Sequence, residues 1–369
     1  LNSSPELFLS SEPGRGIFPN FTSGSSGQFL RVLQDGEYFD WAMAGKYLFY
    51  TWAGWKPGDR ILKLWNTRRF LLGKGERLRL LAGDVLRRKK MLNTFMVKPG
   101  DLDRYLGELR RFRPVLVELC VDAARAVAGE MQRRNVRPGP QLRGVIVSAG
   151  TLYPDTERLV GEAFGVPVTN RYGCIEAGDM ACTCPAGRIH VNPFTHFLEV
   201  LDERGNPVAE GTGRVAVTLL TNYTMPLIRY DIQDMATVRR EPSPCPCGRE
   251  WQTLERVEGR TRTFFRCRDG SLLNPALIVR SMHHADRDEI IDCYQVVQED
   301  FHRFTVRLTL LGGRDGEDAA VRELLGRMEP EIRGALGFDA SISFSIEKEI
   351  LPLPSGKHLY ALSRLLDAE

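Results

Sequence analysis

Gly144-Val145-Ile146-Val147-Ser148-Ala149-Gly150 is the stretch on which the fold turns. An apolar, β-branched run closed by Ala-Gly predicts a strand buried in a parallel sheet. Residues 154–164 then predict a helix, with Asp155 and Glu157 in its first turn, where carboxylates meet the positive end of the helix dipole. Residues 166–172 predict another short strand. Working outward, residues 114–119 predict a short buried strand followed by a helix through Met131, and residues 101–111 a helix capped by Asp101. Residues 60–65 read as a strand after the turn Lys56-Pro57-Gly58-Asp59, residues 38–49 as a helix, and residues 28–33 as a strand. Strand–helix–strand alternation is the mark of a parallel α/β sheet.

From about residue 187 the texture changes. Residues 196–201, 213–219 and 235–239 are short strands between Gly and Pro turns, which predicts a mainly antiparallel subdomain. After Gly259-Arg260, strands near 264–267, 290–299, 304–311 and 342–346 alternate with helices at 275–283 and 318–336. The expected class is therefore α/β. A large N-terminal domain (1–258) carries the parallel sheet and the antiparallel subdomain, and a small α+β domain (259–369) follows.

Composition narrows the function. The chain has 369 residues, 43% hydrophobic and 26% charged, close to globular averages. A net charge of +3 does not argue for nucleic acid. Residues 66–90 hold nine basic side chains against Glu76 and Asp84, which reads first as a solvated face and second as a site for phosphate, an acidic partner or a membrane surface. No apolar run is long enough to cross a bilayer. Nothing at the N-terminus resembles a signal peptide, and the eight cysteines do not form a disulfide scaffold, so a reducing, cytoplasmic setting is expected. The chain starts at Leu1 without an initiator Met.

Five short segments carry chemistry. Thr22-Ser23-Gly24-Ser25-Ser26-Gly27 offers hydroxyls, exposed amides and two glycines, a composition that cradles phosphate oxygens, although such a stretch alone also reads as a linker. Arg171-Tyr172-Gly173-Cys174-Ile175-Glu176 puts a carboxylate at a strand's C-terminal end, where α/β sheets bind ligands. Met225-Pro226-Leu227-Ile228-Arg229-Tyr230 leads to Asp234, whose carboxylate could accept from ribose hydroxyls, although alone the stretch reads only as a turn with an aspartate. Gly259-Arg260 lies at the change of texture, and Leu353-Pro354-Ser355-Gly356-Lys357 presents a lysine near the C-terminus.

In order and spacing, these five segments resemble the adenylate-forming superfamily of acyl-CoA synthetases, adenylation domains and luciferases. Pro226-Leu227-Ile228-Arg229-Tyr230, with Cys245-Pro246-Cys247-Gly248 soon after, is most similar to the phenylacetate–CoA ligase branch. The resemblance spans about residues 20–366. It implies that Thr22 to Gly27 hold the ATP β- and γ-phosphates, that Tyr172 and Gly173 lie against the adenine, and that Glu176 binds Mg²⁺. It further implies that Ser148, Ala149 and Gly150 line the adenine and acyl pocket. Asp234 would hold the ribose, Arg260 the ribose or phosphate region, and Lys357 would bridge the carboxylate and α-phosphate. Adenylation would precede transfer to coenzyme A, with rotation of the C-terminal domain between the two steps.

Departures from the family pattern qualify this. The phosphate loop begins at residue 22, where the family carries several tens of residues before it, so the front of the domain is expected to be missing. Gln28-Phe29-Leu30-Arg31 replaces a basic-Pro pair, and Arg262-Thr263 stands at the hinge in place of an acid. Val117-Glu118-Leu119-Cys120 replaces a Gly-Tyr-Pro-like stretch that helps shape the acyl pocket.

Cys182, Cys184, His190, Cys245 and Cys247 offer five candidates for four tetrahedral Zn²⁺ positions. Cys184, His190, Cys245 and Cys247 are preferred, because Cys184-Pro185 and Gly187-Arg188-Ile189-His190 resemble the branch's Cys-Pro…Gly-Leu-His run; Cys182 is the reserve. Buried free cysteines are the plain alternative. His283-His284 reads as a solvated or satisfied pair, and Cys174 as packing.

The expectation is an enzyme that uses ATP and Mg²⁺ to activate a carboxylic acid, aryl or small and hydrophobic by branch analogy, then forms a CoA thioester. Transfer to an amine or a carrier-protein thiol is the rival, and a turnover-deficient nucleotide-binding or scaffolding protein a third reading. The acid and the acceptor stay open, as does the oligomeric state, a homodimer among the options.

Overall fold

The computed structural model describes residues 8–21, 31–65, 74–94, 99–239, 244–260, 265–268, 272–273, 276–288, 290–336, 339–351, 359 and 361–366. The chain divides into two compact units, Leu1–Gly259 and Arg260–Glu369.

The first unit opens with an antiparallel pair, β1 (Phe18–Phe21) and β2 (Arg31–Gln34). Helix α1 (Gly36–Trp52) follows, its N-terminus capped by Asp35 Oδ1, which accepts from Tyr38 N at 2.8 Å. The α/β part then runs β3 (Ile61–Trp65), α2 (Lys74–Leu86), β4 (Lys89–Asn93), α3 (Pro99–Phe112), β5 (Leu116–Cys120), α4 (Val121–Arg133), β6 (Gly144–Ser148), α5 (Pro154–Phe164) and β7 (Val168–Cys174). These five strands are parallel, in the order β4-β3-β5-β6-β7.

Strand alternation explains both layers. Leu62, Leu64, Val117, Leu119, Val145 and Val147 face one way and pack with Tyr105, Val127, Met131 and Phe164 from the helices. On the other face Ile61, Leu116 and Ile146 meet Tyr50, Ala53 and Trp55. The helix end and the sheet approach closely there: a Cβ at Gly144 would stand 2.2 Å from the Ala53 carbonyl oxygen.

β8 (Gly178–Thr183) and β9 (Ile189–Val191) turn back antiparallel beside β7. β10 (His196–Leu201), β11 (Gly211–Leu219) and β12 (Tyr230–Val238) belong to a second sheet. β13 (Thr253–Leu254) joins β9, completing an eight-stranded mixed sheet, and β14 (Arg256–Arg260) completes the four-stranded sheet β10-β11-β12-β14.

In the second unit β15 (Phe265–Arg266) and β16 (Leu272–Leu273) pair. α6 (Ala276–Ala285), β17 (Ile291–Gln298), β18 (Arg303–Leu310), α7 (Ala319–Leu336), β19 (Ser341–Ile346) and β20 (Ala361–Ser363) follow. The sheet order is β19-β18-β17-β20, antiparallel at its centre and parallel at both flanks. Its core joins Ile278 and Met282 of α6 to Leu324, Met328 and Ile332 of α7 and to Phe304 and Val306 of β18.

Two expectations need correction. Asp101 does not cap its helix: α3 begins at Pro99 and Asp101 lies in the first turn, because proline suits a helix start. The antiparallel region begins with β8, before residue 187, and extends the parallel sheet itself. Within the basic run Arg79, Arg87 and Arg88 are exposed, as a solvated face implies, while Lys89 and Lys90 at the start of β4 are partly buried and ion-paired. Lys89 stands 3.6 Å from buried Asp84, and Lys90 2.6 Å from Glu108.

Among the described residues no helix is long and apolar enough to cross a membrane.

Candidate functional site

The carboxyl ends of the parallel strands collect most of the expected residues that are described. Ser148 is buried at the end of β6. Ala149 follows in the left-handed region, with φ of 62°, a conformation that costs a non-glycine residue roughly 1–2 kcal/mol. A Cβ on Gly150 would lie 3.2 Å from Val121, so the turn runs tightly over the start of α4.

Beside it, β7 ends in Tyr172 and Gly173. A Cβ at Gly173 would meet the Gly178 carbonyl at 2.3 Å, so glycine is what lets β7 and β8 close into a hairpin. Tyr172 Oη donates to Asp234 Oδ2 at 2.9 Å across 62 residues of sequence. Asp234 reaches it because β12 bulges: Asp231 and Met235 pair with Ala216 and Arg214, and Gln233 is left-handed at φ 62°. Glu176, buried in the hairpin turn, is held at both levels. Its carbonyl accepts from Gln34 Nε2 at 3.2 Å, and Tyr230 Oη lies 3.5 Å from its Oε1. The structure thus joins three expected segments, those of Ser148, of Tyr172 and Glu176, and of Asp234.

Not all of the expected site is described. Thr22, Ser23, Gly24, Ser25, Ser26, Gly27 and Lys357 lie outside the described residues, as does the side chain of Arg260 at the end of β14. Cys174 is partly buried; desolvation and then the Glu176 carboxylate push its thiol well above the usual range, which suits packing and not nucleophilic attack. His284 Nδ1 lies 2.7 Å from Glu331, a satisfied histidine as expected.

His196 is tied to the residue that follows Glu176. Its Nε2 donates to the Ala177 carbonyl at 2.8 Å, leaving Nδ1 to accept from Thr195 Oγ1 at 2.7 Å. Burial lowers its pKa from 6.5 to about 4. A histidine kept neutral in the folded state stabilises it above pH 6.5, and that stability is lost as pH falls from 6.5 toward 4. Unfolding free energies between those limits are expected to fall by about 3 kcal/mol from this group, because each tenfold change in proton activity carries about 1.4 kcal/mol per proton. The His196→Asn variant should show a correspondingly flatter urea-unfolding profile against pH.

The cysteine cluster forms as expected from the sequence. Ligand atoms of Cys184, His190, Cys245 and Cys247 all lie within 4.8 Å of one another. Cys184 Sγ is 3.7 Å from Cys245 Sγ, and Cys247 Sγ is 3.4 Å from His190 Nε2. Tetrahedral bonds of about 2.3 Å to sulfur and about 2.0 Å to nitrogen place ligand atoms roughly 3.5–3.8 Å apart, so the donor set fits zinc. His190 Nδ1 faces the Trp251 carbonyl at 3.3 Å, which leaves Nε2 for the metal. Burial works against ionising Cys247, but hydrogen bonds from Arg249 outweigh it and lower that thiol to about 7. Cys182 lies outside the four, buried against Phe49 and Trp52. The cluster links the β8–β9 turn to the segment before β13, under α1.

A buried ion network was not expected from the sequence. On the α1 face of the sheet, Lys63 Nζ donates to Glu118 Oε1 at 2.6 Å, Arg171 Nη2 donates to the same oxygen at 2.5 Å, and Tyr50 Oη donates to Oε2 at 2.6 Å. Arg171 Nε also lies 3.1 Å from Asp179, and Lys46 Nζ 3.7 Å from Asp179. Burial would raise the Glu118 carboxyl, but Arg171 and Lys63 outweigh it and hold it well below the usual range. A signal exists in the sequence: Lys63 and Glu118 interrupt two otherwise apolar parallel strands, at positions that the register pairs.

No family model and no curated protein matches the sequence. Solved structures do match. A 2-hydroxyisobutyryl-CoA ligase in a postadenylation state superimposes with a TM-score of 0.66 at 17% identity, over 95% of this chain and 74% of that one. The anthranilate CoA ligase AuaEII, bound to anthranoyl-AMP, gives 0.62 at 15%, over 93% and 65%. The amide bond synthetase McbA from Marinactinospora thermotolerans gives 0.59 at 17%, over 93% and 67%. The α/β architecture, with its mixed and antiparallel sheets, is therefore a fold that this chain shares with these three enzymes.

Proposed function

We propose that this chain activates a carboxylic acid with ATP, releasing pyrophosphate and holding the acyl-adenylate, and then passes the acyl group to coenzyme A. The observation that carries the reading is the joining of Tyr172, Glu176 and Asp234 at the strand ends of a fold shared with ligases solved around acyl-adenylates. Asp234 would accept from the ribose hydroxyls, with Tyr172, already its partner, against the base. Glu176 would hold magnesium, which when bound offsets the charge of the triphosphate. Thr22 to Gly27 would donate to the β- and γ-phosphates. Lys357 would place its ammonium between carboxylate and α-phosphate, stabilising charge that builds as two anions meet. Arg260 would add a contact to ribose or phosphate.

Within that class we assign the chain to the phenylacetate–CoA ligase branch. Pro226 to Tyr230 and the Cys184–His190–Cys245–Cys247 cluster support this. Zinc there would be structural, because four protein ligands leave no open position. Ligation of zinc by Cys184, Cys245 and Cys247 needs reduced cysteines, which supports a reducing, cytoplasmic setting. The likeness to an amide bond synthetase supports an amine acceptor as the second reading.

Carboxylate-dependent ATP–pyrophosphate exchange tests the first step, and product analysis with CoA, amines or a carrier protein tests the second. Exchange in Lys357→Ala is expected to fall by roughly a hundredfold or more while ATP binding stays within a few-fold of wild type. Exchange at the wild-type rate would remove Lys357 from the mechanism.

A further inference from the structure

The α1 face of the parallel sheet changes character toward the strand ends. Its lowest row, Ile61, Leu116 and Gly144, is uncharged, and Ile61 and Leu116 pack there with Ile146 of the next row against Tyr50 of α1. Lys63 and Glu118 lie two residues further along, and Trp65, Cys120 and Ser148 two residues beyond Lys63, Glu118 and Ile146. A ligand entering from the carboxyl ends, where such sheets bind ligands, meets Trp65, Cys120 and Ser148 first and the charged row beneath them.

Arg171 follows Asn170, the partner of Val147, and so stands level with Ser148 while its side chain reaches Glu118, and the network there holds more donors than it uses. Arg171 is 2% exposed, and its Nη1 has no hydrogen-bond partner among the described residues. Its Nε, though 3.1 Å from Asp179, is misaligned for a hydrogen bond. Lys63 is 7% exposed, with Nζ 4.0 Å from the centroid of the half-buried Trp65 ring, and Arg171 Cζ is 5.7 Å from the same ring. Two cations thus share Glu118, a carboxylate with no solvent exposure. A buried guanidinium N–H without an acceptor is rare and marks a place where something else accepts.

Resting on the adenylation reading, the geometry points to a substrate class: an organic acid whose far end carries a second hydrogen-bond acceptor, a hydroxyl, an oxo group or another carboxylate. That group accepts from Arg171 below Trp65 while the reacting carboxylate stays at the strand ends. An unsubstituted aryl or alkyl tail would leave the guanidinium N–H buried and unpaired, the situation in which polar sites discriminate best.

The test is exchange kinetics with matched acids: benzoate against 4-hydroxybenzoate, and pentanoate against glutarate. The acceptor-bearing member of at least one pair is expected to show kcat/KM higher by about tenfold or more. Arg171→Lys, which keeps a cation facing Glu118, should cut that ratio by about fivefold or more, with a cooperative thermal melt showing that the variant folds. Equal rates within both pairs, or preference for the unsubstituted acids, would overturn the inference and leave adenylation standing. A full ratio retained in folded Arg171→Lys would also overturn it, as would a buried water that merely satisfies Nη1. No exchange with any acid would overturn the adenylation reading and this one with it.

Discussion

With zinc bound as proposed at Cys184, His190, Cys245 and Cys247, chelating it or replacing Cys245 with serine is expected to lower the thermal midpoint of this chain by roughly 8–16 °C. The four donors come from two segments some sixty residues apart, and their Sγ and Nε2 atoms already stand at 3.7 and 3.4 Å in two pairs. Apparent binding of structural zinc is worth about 10–16 kcal/mol in small peptides. A larger unit with its own core retains only part of that dependence; even about 4 kcal/mol corresponds to roughly 8–16 °C in a domain of this size. Removing the ion would leave the sulfurs and imidazole crowded against Phe49, Trp52 and Trp251 with no common partner. Zinc analysis of purified protein, melting before and after chelation, and the charge-transfer bands of a cobalt-substituted sample measure it. Less than one equivalent of metal per chain, with a melt indifferent to chelator, would assign these residues to thiol packing instead.

Glu118→Ala is expected to cost about 3–5 kcal/mol, in the range seen when one partner of a buried ion pair is removed. The carboxylate has no solvent exposure and accepts from Lys63, Arg171 and Tyr50. Without it Arg171 keeps only Asp179 close by, and Lys63 is left buried with nothing to oppose its desolvation. Lys63 is itself held at a cost, since burial lowers its ammonium to about 7 against the opposing pull of Glu118. Urea unfolding of Glu118→Ala, Lys63→Met and the double variant forms the cycle. The double variant should be less damaging than the sum of the singles, because Lys63→Met removes one of the charges that Glu118→Ala strands. Additive losses would mean that the two side chains act independently.

The Cys–His cluster and the ion network differ in how far local sequence reveals them. The four clustered donors are visible as residue types, because C-x-C pairs and a histidine are few and chemically distinctive. The ion network is not, because lysine and glutamate inside strands look like noise until register places Lys63 beside Glu118. Helix α5 matches its expected bounds because periodicity and first-turn acids agree. β4 and α2 have no counterpart among the expected elements because charge masks their pattern: Lys89-Lys90-Met91-Leu92-Asn93 becomes a strand through its pairing with β3. β9 and β13, three and two residues long, carry too little pattern for any local signal.

The residues alone determined the class of the first unit, since β-branched runs separated by amphipathic helices have few ways to bury their apolar faces other than a helix-covered parallel sheet. They also determined which chemical groups are available. Only the tertiary structure decided which groups meet. Tyr172 reaches Asp234 because a bulge in β12 turns it inward, and Arg171 finds Glu118 because β7 and β5 flank the same strand of the sheet. Such meetings depend on register and burial, quantities summed over the whole sheet, and no window of neighbouring residues contains them.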